Sequence, residues 1–217
     1  MRLEYFELRG KHVLLEPLET AHTAELAAAA GTDPALYPWT TVPQGQKEMA
    51  RYVDAAVAAR EAGVAWPFVT RSAQTGNILG STRYFDLEWW AWPEGHTRSA
   101  QWAPAVCEIG YSWLTRGAMR TGANTEAKLL MLMYAFQVWS VHRVVLHTDE
   151  RNARSRAAIE RIGGKFEGIL RAHRLASDIT PRNSARYSFV AAEWPEVRTK
   201  LEARLANRQA AGFTAST

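Results

Sequence analysis

Residues 107–168 read CEIGYSWLTRGAMRTGANTEAKLLMLMYAFQVWSVHRVVLHTDERNARSRAAIERIGGKFEG, and the rest of the chain is arranged around this stretch. Its pattern predicts a strand, a glycine-bearing loop, a helix, a second strand, a loop, a short helix and a final glycine break. The loop 116–124 contains Gly117 and Gly122 and leads directly into the helix. Such a loop presents several backbone N–H groups in front of a helix N-terminus, which is the geometry of an anion site. An ordinary β-α-β crossover with a glycine turn explains the same residues, so both interpretations stay open at this point.

Length and composition favour a single domain, 1–217, with a sizeable core. The chain has 217 residues, of which 47% are hydrophobic, and Cys107 is its single cysteine. One cysteine cannot form an internal disulfide, which fits the reducing cytoplasm where we expect the protein. No stretch approaches 18 uninterrupted apolar residues and the N-terminus lacks an apolar signal-peptide core, so we expect no membrane association. One cysteine and scattered histidines also predict no metal site.

The charge pattern argues against nucleic acid as a partner. The 26 basic and 22 acidic residues leave a net charge of +4, and the two signs are interspersed. The densest basic stretch, 151–161, follows Glu150 and contains Glu160. We interpret it mainly as the solvated face of a helix, with an anionic ligand nearby as the alternative.

Hydrophobic periodicity and turn residues predict one α+β domain. The predicted strands lie at 11–18, 65–71, 78–90, 106–114, 141–148, about 165–174 and 185–192. Four predicted helices lie at 20–30, 46–61, 153–162 and 194–206, and a frayed tail follows the last one. A fifth helix begins where Thr121 or Asn124 can cap it. Strands 65–71 and 78–90 form an antiparallel hairpin, and 141–148 is the parallel partner of 106–114.

Residues 88–102 contain four tryptophans around a Pro/Gly turn. The segment has three open interpretations: a loop folded into the core or a subunit contact, an aromatic wall of a substrate pocket, and a base-stacking platform. The subunit contact would make the protein a homodimer. For the pocket, the candidate acceptor-binding residues are Trp39, Tyr84, Trp89, Trp90 and Trp92.

The strings GANTEAK and HRVVLHTDERNARSRAAIERIGG resemble a GNAT N-acetyltransferase of the RimJ/RimL-like branch. In that branch a Gly-rich loop is followed by TEA on a helix, then a strand, then N-x-x-S and a helix ending in K/R-x-G. Residues 125–127, 152–155 and 161–163 match these three motifs. The resemblance covers about 10–192 and is densest in 107–168.

The resemblance implies a fold and a co-substrate. The fold is a mixed, mostly antiparallel sheet of about seven strands with a central splayed parallel pair, flanked by helices in α/β/α layers. The co-substrate is acetyl-CoA, with no metal. Pantetheine is expected between the splayed strands, and pyrophosphate on the N–H groups of 121–125. The implied cofactor-binding residues are Tyr111, Trp113, Leu114, Arg120, Thr121, Gly122, Ala123, Asn124, Thr125, Asn152 and Ser155.

The loop departs from the family pattern at two positions. The pattern is usually written Q/R-x-x-G-x-G/A, and aligning Gly122 with its central glycine puts Met119 first and Asn124 last. Backbone N–H groups do most of the pyrophosphate binding in such loops, so Asn124 is tolerable. Met119 removes one polar contact, although Arg120 is adjacent. We therefore expect weakened CoA binding.

The implied chemistry is aminolysis of a thioester, which needs a general base and a donor to the carbonyl oxygen. The candidate base is Glu108, because apolar neighbours on a central strand can desolvate its carboxylate and raise its pKa. Its alternative is a surface or salt-bridged strand residue. Ser155 can supply a proton to the leaving thiolate, and Tyr187 is an alternative proton donor or else a core aromatic. His142 and His147 alternate with apolar positions, so we interpret them as structural.

The sequence therefore predicts an N-acetyltransferase that acts on a primary amine. The acceptor is a protein or peptide α-amine or a small-molecule amine. A non-catalytic acyl-CoA-binding module is the alternative that the Met119 departure favours. A basic nucleic-acid binder is a third hypothesis, and it predicts salt-dependent retention on single-stranded DNA.

Overall fold

The computed structural model of the protein describes residues 5–100 and 102–214, with side chains described as far as residue 208. Eight strands in these ranges form one sheet in the order β1-β2-β3-β4-β5-β6-β8-β7. Their bounds are β1 Leu8–Arg9, β2 Val13–Pro17, β3 Trp66–Ser72, β4 Ile78–Glu88, β5 Val106–Leu114, β6 Arg143–Asp149, β7 Lys165–Leu175 and β8 Pro181–Val190. All neighbours are antiparallel except β5 and β6. The predicted mixed sheet with one parallel pair is confirmed. The strand beyond the predicted seven is β1, whose two residues are too few for a periodic pattern.

Five α-helices lie in the described ranges: α1 Thr23–Gly31, α2 Gly45–Glu61, α3 Ala123–Met133, α4 Ala153–Arg161 and α5 Trp194–Thr214. A π-helical turn, Tyr134–Val138, continues α3. Helix α5 extends past the predicted end at residue 206, and the last three residues of the predicted frayed tail lie outside the described ranges. No helix in the described part of the chain is long and apolar enough to cross a membrane.

The β7–β8 turn is shorter than the predicted polar hairpin 176–184. The Ala176 N–H donates to the Thr180 carbonyl at 2.9 Å, and the Thr180 hydroxyl donates to Asp178 Oδ1 at 2.6 Å. These bonds close a tight turn, so Arg182 already pairs with Arg174 of β7.

Helices cover both faces of the sheet. On the face that we call the α3 face, residues such as Phe68, Tyr84 and Ile109 pack in one large buried cluster with α3 and α5. On the opposite side, which we call the α1–α2 face, Val69 and Trp113 pack with the first two helices. Because side chains alternate along a regular strand, the residues of β5 up to Gly110 can be assigned to one of these faces.

Strands β5 and β6 separate after a short parallel contact. Their pairing covers only Val106 to Glu108 on β5, opposite residues 143–145. Beyond this point β6 continues its pairing with β8, whereas β5 stays on β4 and contains a bulge opposite residues 81–83. Tyr111, in the bulge, has a positive φ of 51°. The predicted splay is confirmed, and we call the opening between the two strands the wedge.

Candidate active site

The loop before α3 has the geometry of an anion site. The first helical hydrogen bond runs from the Glu126 N–H to the Gly122 carbonyl at 2.9 Å. The amides before it have no acceptor within the helix. The Thr121 hydroxyl oxygen accepts from one of them at 3.1 Å. The amides of Asn124 and Thr125 remain at the start of the helix, where an anion is favoured.

Position 122 leaves little room for a side chain because another element packs over it. A Cβ atom on Gly122 would lie 3.0 Å from the ring of His12. Two residues earlier, Arg120 has a positive φ of 60°, and its carbonyl accepts from Arg208 Nη1 at 2.6 Å. The β1–β2 turn and α5 therefore define the shape of the loop.

Glu126 holds the β1–β2 turn against α3. Its buried carboxylate accepts from the backbone N–H groups of Lys11, His12 and Val13 at 2.9, 2.6 and 2.8 Å. A side chain at Gly10 would collide with this carboxylate. Sequence reasoning missed this role because bonds between residues 113 to 115 positions apart leave no local pattern.

Arginines of two other elements contact the loop that lacks a polar residue at position 119. Met119 packs against the apolar cluster of the α1–α2 face, and Arg154 Nη1 lies 3.7 Å from its sulfur. Arg154 is in the first turn of α4, inside the N-x-x-S motif. It also belongs to the basic stretch 151–161, for which an anionic ligand nearby is the alternative interpretation. The arginines in the loop or in contact with it are Arg116, Arg120, Arg154 and Arg208.

The three β5 residues predicted to contact pantetheine differ in accessibility. Tyr111 is 46% exposed. Trp113 is buried, with its ring edge-on to that of Tyr37 at 5.8 Å between centroids. The Leu114 carbonyl accepts from the Tyr37 hydroxyl at 3.1 Å. The Trp113 ring therefore cannot contact a ligand in the wedge, and only its backbone remains for that purpose.

Asn152 and Ser155 lie where β6 leads into α4. Asn152 is buried and is the N-cap of α4, because its Oδ1 accepts from the Ser155 N–H at 3.0 Å. Ser155 is half-buried in the first turn. Since α4 begins just after the C-terminal end of β6, both residues lie at the open end of the wedge.

Glu108 lies at the closed end of the wedge, on the α1–α2 face. It is only 4% exposed. Its Oε2 lies 2.9 Å from His147 Nδ1, without hydrogen-bond alignment, and accepts from Arg174 Nη2 at 3.0 Å. Oε1 is on the side of Gly110, where a Cβ atom would lie 3.6 Å from it. One oxygen is thus held by cationic or polar side chains, and the other faces the bulge.

Two side chains lie against the Glu108 carboxylate: Arg174, which the sequence did not single out, and His147, which we interpreted as structural. Arg174 bridges two carboxylates, since it also contacts Asp86 Oδ2 at 2.6 Å. His147 packs against His173 with 4.8 Å between ring centroids. The only sequence signal was the charged and polar character of β6 and β7 residues on one face. Their meeting with Glu108 depends on the strand order.

The bulge in β5 is held from the α3 face by a buried lysine. Lys128 Nζ donates to Ser112 Oγ at 2.6 Å and to Thr82 Oγ1 at 3.0 Å, and these two hydroxyls lie 2.7 Å apart. Burial lowers the pKa of Lys128 to about 7. Ser112 is next to Tyr111, so this network supports the backbone where β5 leaves β6.

Tyr187 lies on the α3 face, opposite to Glu108. It pairs with Leu146, whose side chain belongs to the large buried cluster. Its hydroxyl accepts from Arg156 Nε at 3.1 Å and donates to Glu160 Oε1 at 2.9 Å. Burial is the main cause that raises its pKa. The structure therefore does not bring Tyr187 together with Glu108, and its role as a proton donor stays a prediction.

The predicted acceptor-binding aromatics separate into three locations. Tyr84 is fully buried on the α3 face and donates to the Met131 carbonyl at 2.6 Å, so we leave it out of the acceptor site. Trp39 is half-buried under the guanidinium of Arg151, 4.2 Å from its ring centroid. The others belong to the segment 88–102.

The described residues of the segment 88–102, which are 88–100 and Trp102, form an exposed aromatic surface at the start of β6. Trp90 stacks on His142 at 4.9 Å between centroids, and Trp92 stacks on His96 at 4.6 Å. Trp89 is exposed. This surface lies at the N-terminal end of β5, whereas the loop 116–124 follows its C-terminal end. The tryptophans are thus not part of the core.

Known acetyltransferases resemble this chain in sequence and structure. A model of the acetyltransferase (GNAT) domain matches residues 12–165. A solved GCN5-related N-acetyltransferase from Brucella melitensis is 27% identical, with a TM-score of 0.80 over 94% of this chain and 87% of that chain. An acetyltransferase structure from T. thermophilus is 29% identical, with a TM-score of 0.76 over 94% of this chain and 100% of that chain. No curated protein matches the chain.

The RimJ/RimL resemblance agrees with these findings at the level of the fold. Mycobacterium smegmatis RimJ, solved in complex with CoA-disulfide, has a TM-score of 0.71 at 21% identity and aligns over 94% of each chain. The family match itself rests on the domain model, which covers well over half of the chain. The chain therefore belongs to the GNAT family of acetyltransferases and is an N-acetyltransferase.

Proposed function

We propose that the protein transfers the acetyl group of acetyl-CoA directly to a primary amine, with Glu108 as the general base. One observation carries the proposal. Glu108 is a buried carboxylate beside the β5 bulge, its Oε2 is held by Arg174, and its Oε1 is directed toward Gly110. A fixed carboxylate with one available oxygen is what proton abstraction from an amine needs.

The residues around the wedge fit acetyl-CoA. The amides of Asn124 and Thr125 and the arginines around the loop are suited to the pyrophosphate. The backbone of residues 111–114, apart from the Leu114 carbonyl that accepts from Tyr37, is the proposed partner of the amide groups of pantetheine. Tyr111 and Asn152 are the proposed side-chain neighbours of the pantetheine arm. We expect the arginines to offset part of the contact that Met119 removes.

The chemical step forms a C–N bond and breaks the C–S bond of the thioester. Glu108 Oε1 takes the proton of the attacking amine, directly or through water. A backbone N–H of the bulge donates to the carbonyl oxygen as negative charge develops on it. The Ser155 hydroxyl supplies a proton to the departing thiolate, so the products are the amide and free CoA thiol. Glu108 then releases the proton of the amine to solvent and Ser155 takes one proton back, which returns both side chains to their starting states.

Direct transfer is favoured because Cys107 is unsuited to carry the acetyl group. Its thiol is fully buried on the α3 face, and burial raises its pKa well above the usual range. A covalent route would need an accessible thiolate. We therefore propose attack by the amine on the thioester itself, in a cytoplasmic enzyme.

The RimJ/RimL resemblance makes a protein or peptide α-amine one candidate acceptor and a small-molecule amine the other. The alternative function, a non-catalytic acyl-CoA-binding module, is favoured by Met119 in the loop. Calorimetric titration with acetyl-CoA, followed by a thiol-release assay over peptides, polyamines and amino acids, distinguishes the enzyme from the binding module and identifies the acceptor class. Binding with thiol release for one acceptor class is the expected result. Binding without release to any acceptor would favour the module, and no binding would contradict both.

A further inference from the structure

Arg83 is a buried arginine with an unused hydrogen-bonding edge. It lies on β4 and is 7% exposed. The other buried arginine in the described ranges, Arg60, is paired with Glu19 and donates to the Leu18 carbonyl. By contrast, Nε and Nη2 of Arg83 are buried without a hydrogen-bond partner, and Arg83 forms no ion pair with a described residue.

A buried guanidinium without an anion is costly, because it has lost its water and gained no acceptor. The rings of Tyr52 and Tyr111 stack on Arg83, with centroids 4.9 and 4.0 Å from its Cζ. These cation–π contacts offset part of the cost but accept no N–H bond. The Nε and Nη2 donors form one edge of the guanidinium, and this edge matches the two oxygens of a carboxylate.

Arg83 is a neighbour of the proposed base. It pairs with Gly110 across β4 and β5, and Phe85 pairs with Glu108. Residues two apart on a strand share a face and lie about 7 Å apart. Arg83 and Glu108 therefore lie side by side on the α1–α2 face, within β4 and β5 and away from the loop 116–124.

We propose that Arg83 binds a carboxylate of the acceptor, so that the acceptor is a primary amine with a carboxylate close to the amine. This inference rests on the proposed function, because it takes Glu108 as the site of the amine. The two side chains then recognise the two charged ends of the acceptor. The half-exposed Tyr111 ring must turn aside to open the Arg83 edge. Arg83 determines specificity and takes no part in the bond changes.

The test compares acceptors in matched pairs, each as a carboxylate and as its uncharged carboxamide. Amino acids and their amides probe an α-carboxylate, and aspartyl and asparaginyl peptides probe a side-chain carboxylate. The wild type should prefer the carboxylate of at least one series by about 10-fold or more in kcat/KM. Arg83→Met should raise the KM of that carboxylate by about 10- to 100-fold, with kcat and the Kd of acetyl-CoA nearly unchanged.

Two further variants keep the test decisive. Arg83→Lys keeps the charge without the two parallel donors, so it should lose part of the preference even if Arg83→Met does not fold. Arg51→Met removes an exposed arginine of α2 and should change nothing. The proposal is overturned by a wild type without carboxylate preference, by equal losses for both members of a pair, or by a raised Kd for acetyl-CoA.

A binding measurement separates this proposal from the proposed catalysis. The CoA-loaded protein is titrated with N-acetyl amino acids and with their amides. Tighter binding of the acids that Arg83→Met abolishes supports the carboxylate site, even if no acceptor is acetylated. Equal binding of acids and amides by the wild type contradicts it, whatever the activity.

Discussion

At the scale of single residues, Lys128 shows how the site depends on buried charge. A lysine on a helix is usually solvated, but this one donates to Ser112 and Thr82 inside the α3 face. No carboxylate in the described ranges forms an ion pair with it. Burial without an anion disfavours the ammonium, which is why its pKa falls to about 7. The hydrogen bonds from Lys128 to Ser112 and Thr82 hold the backbone of the bulge that follows Glu108.

We expect the free energy of unfolding to rise between about pH 7 and pH 9, and to rise less in Lys128→Met. Above about pH 7 the folded Lys128 is neutral, whereas an unfolded lysine keeps its proton up to its ordinary pKa of about 10.4. The unfolded state then binds more protons, so raising the pH stabilises the folded state. Urea unfolding at both pH values measures this in the wild type, Lys128→Met and the exposed-lysine control Lys47→Met. Equal slopes in all three proteins would contradict the buried, depressed lysine.

At the scale of elements, α3 organises both the anion site and the turn above it. Its first turn supplies the amides that face the loop, and Glu126 in the same turn binds three amides between β1 and β2. The β1–β2 turn then places His12 over Gly122. One helix N-terminus therefore serves two sets of contacts.

We expect Glu126→Ala to destabilise the protein by about 2–4 kcal/mol, because three backbone N–H groups lose a charged acceptor. Glu126→Gln keeps one acceptor oxygen and should lose less. Urea unfolding of the two variants beside the wild type checks the order. A loss below about 1 kcal/mol in Glu126→Ala would show that water replaces the carboxylate without cost.

Local patterns predicted the elements better than the site. Strands and helices follow from periodicity, whereas the splayed pair was implied by the family resemblance of 107–168. The surroundings of Glu108 were not predictable, because Arg174 is 66 positions away and joins it only through the sheet order. Lys128 and Arg83 were missed for another reason: charged residues are expected at the surface, and both are buried.

At the scale of the whole molecule, the sheet separates three regions. The loop 116–124 lies beyond the C-terminal end of β5, and the tryptophan surface lies beyond its N-terminal end. Glu108 lies between them on the α1–α2 face. The tryptophan surface is therefore placed for contact with an acceptor or with a second subunit, and away from the anion site.

We expect Trp90→Ala to raise the acceptor KM while leaving the Kd of acetyl-CoA unchanged, because Trp90 stacks on His142 next to the closed end of the wedge. Steady-state kinetics and calorimetry measure the two quantities, and light scattering on the same samples measures the molecular mass. A fall in mass with unchanged KM would assign the surface to a homodimer. Equal weakening of acceptor and acetyl-CoA would contradict the pocket interpretation.

The most direct test of the central claim is the kcat of Glu108→Gln at saturating acetyl-CoA over a range of pH. Removing the base should lower kcat by about 100-fold or more, most strongly at the low end of the pH range in which the wild-type Glu108 is ionised and hydroxide is scarce, with the Kd of acetyl-CoA unchanged. Asp86→Asn, which alters the exposed second carboxylate on Arg174, is the matched control and should keep most of the activity. Full activity in Glu108→Gln would remove Glu108 from the mechanism.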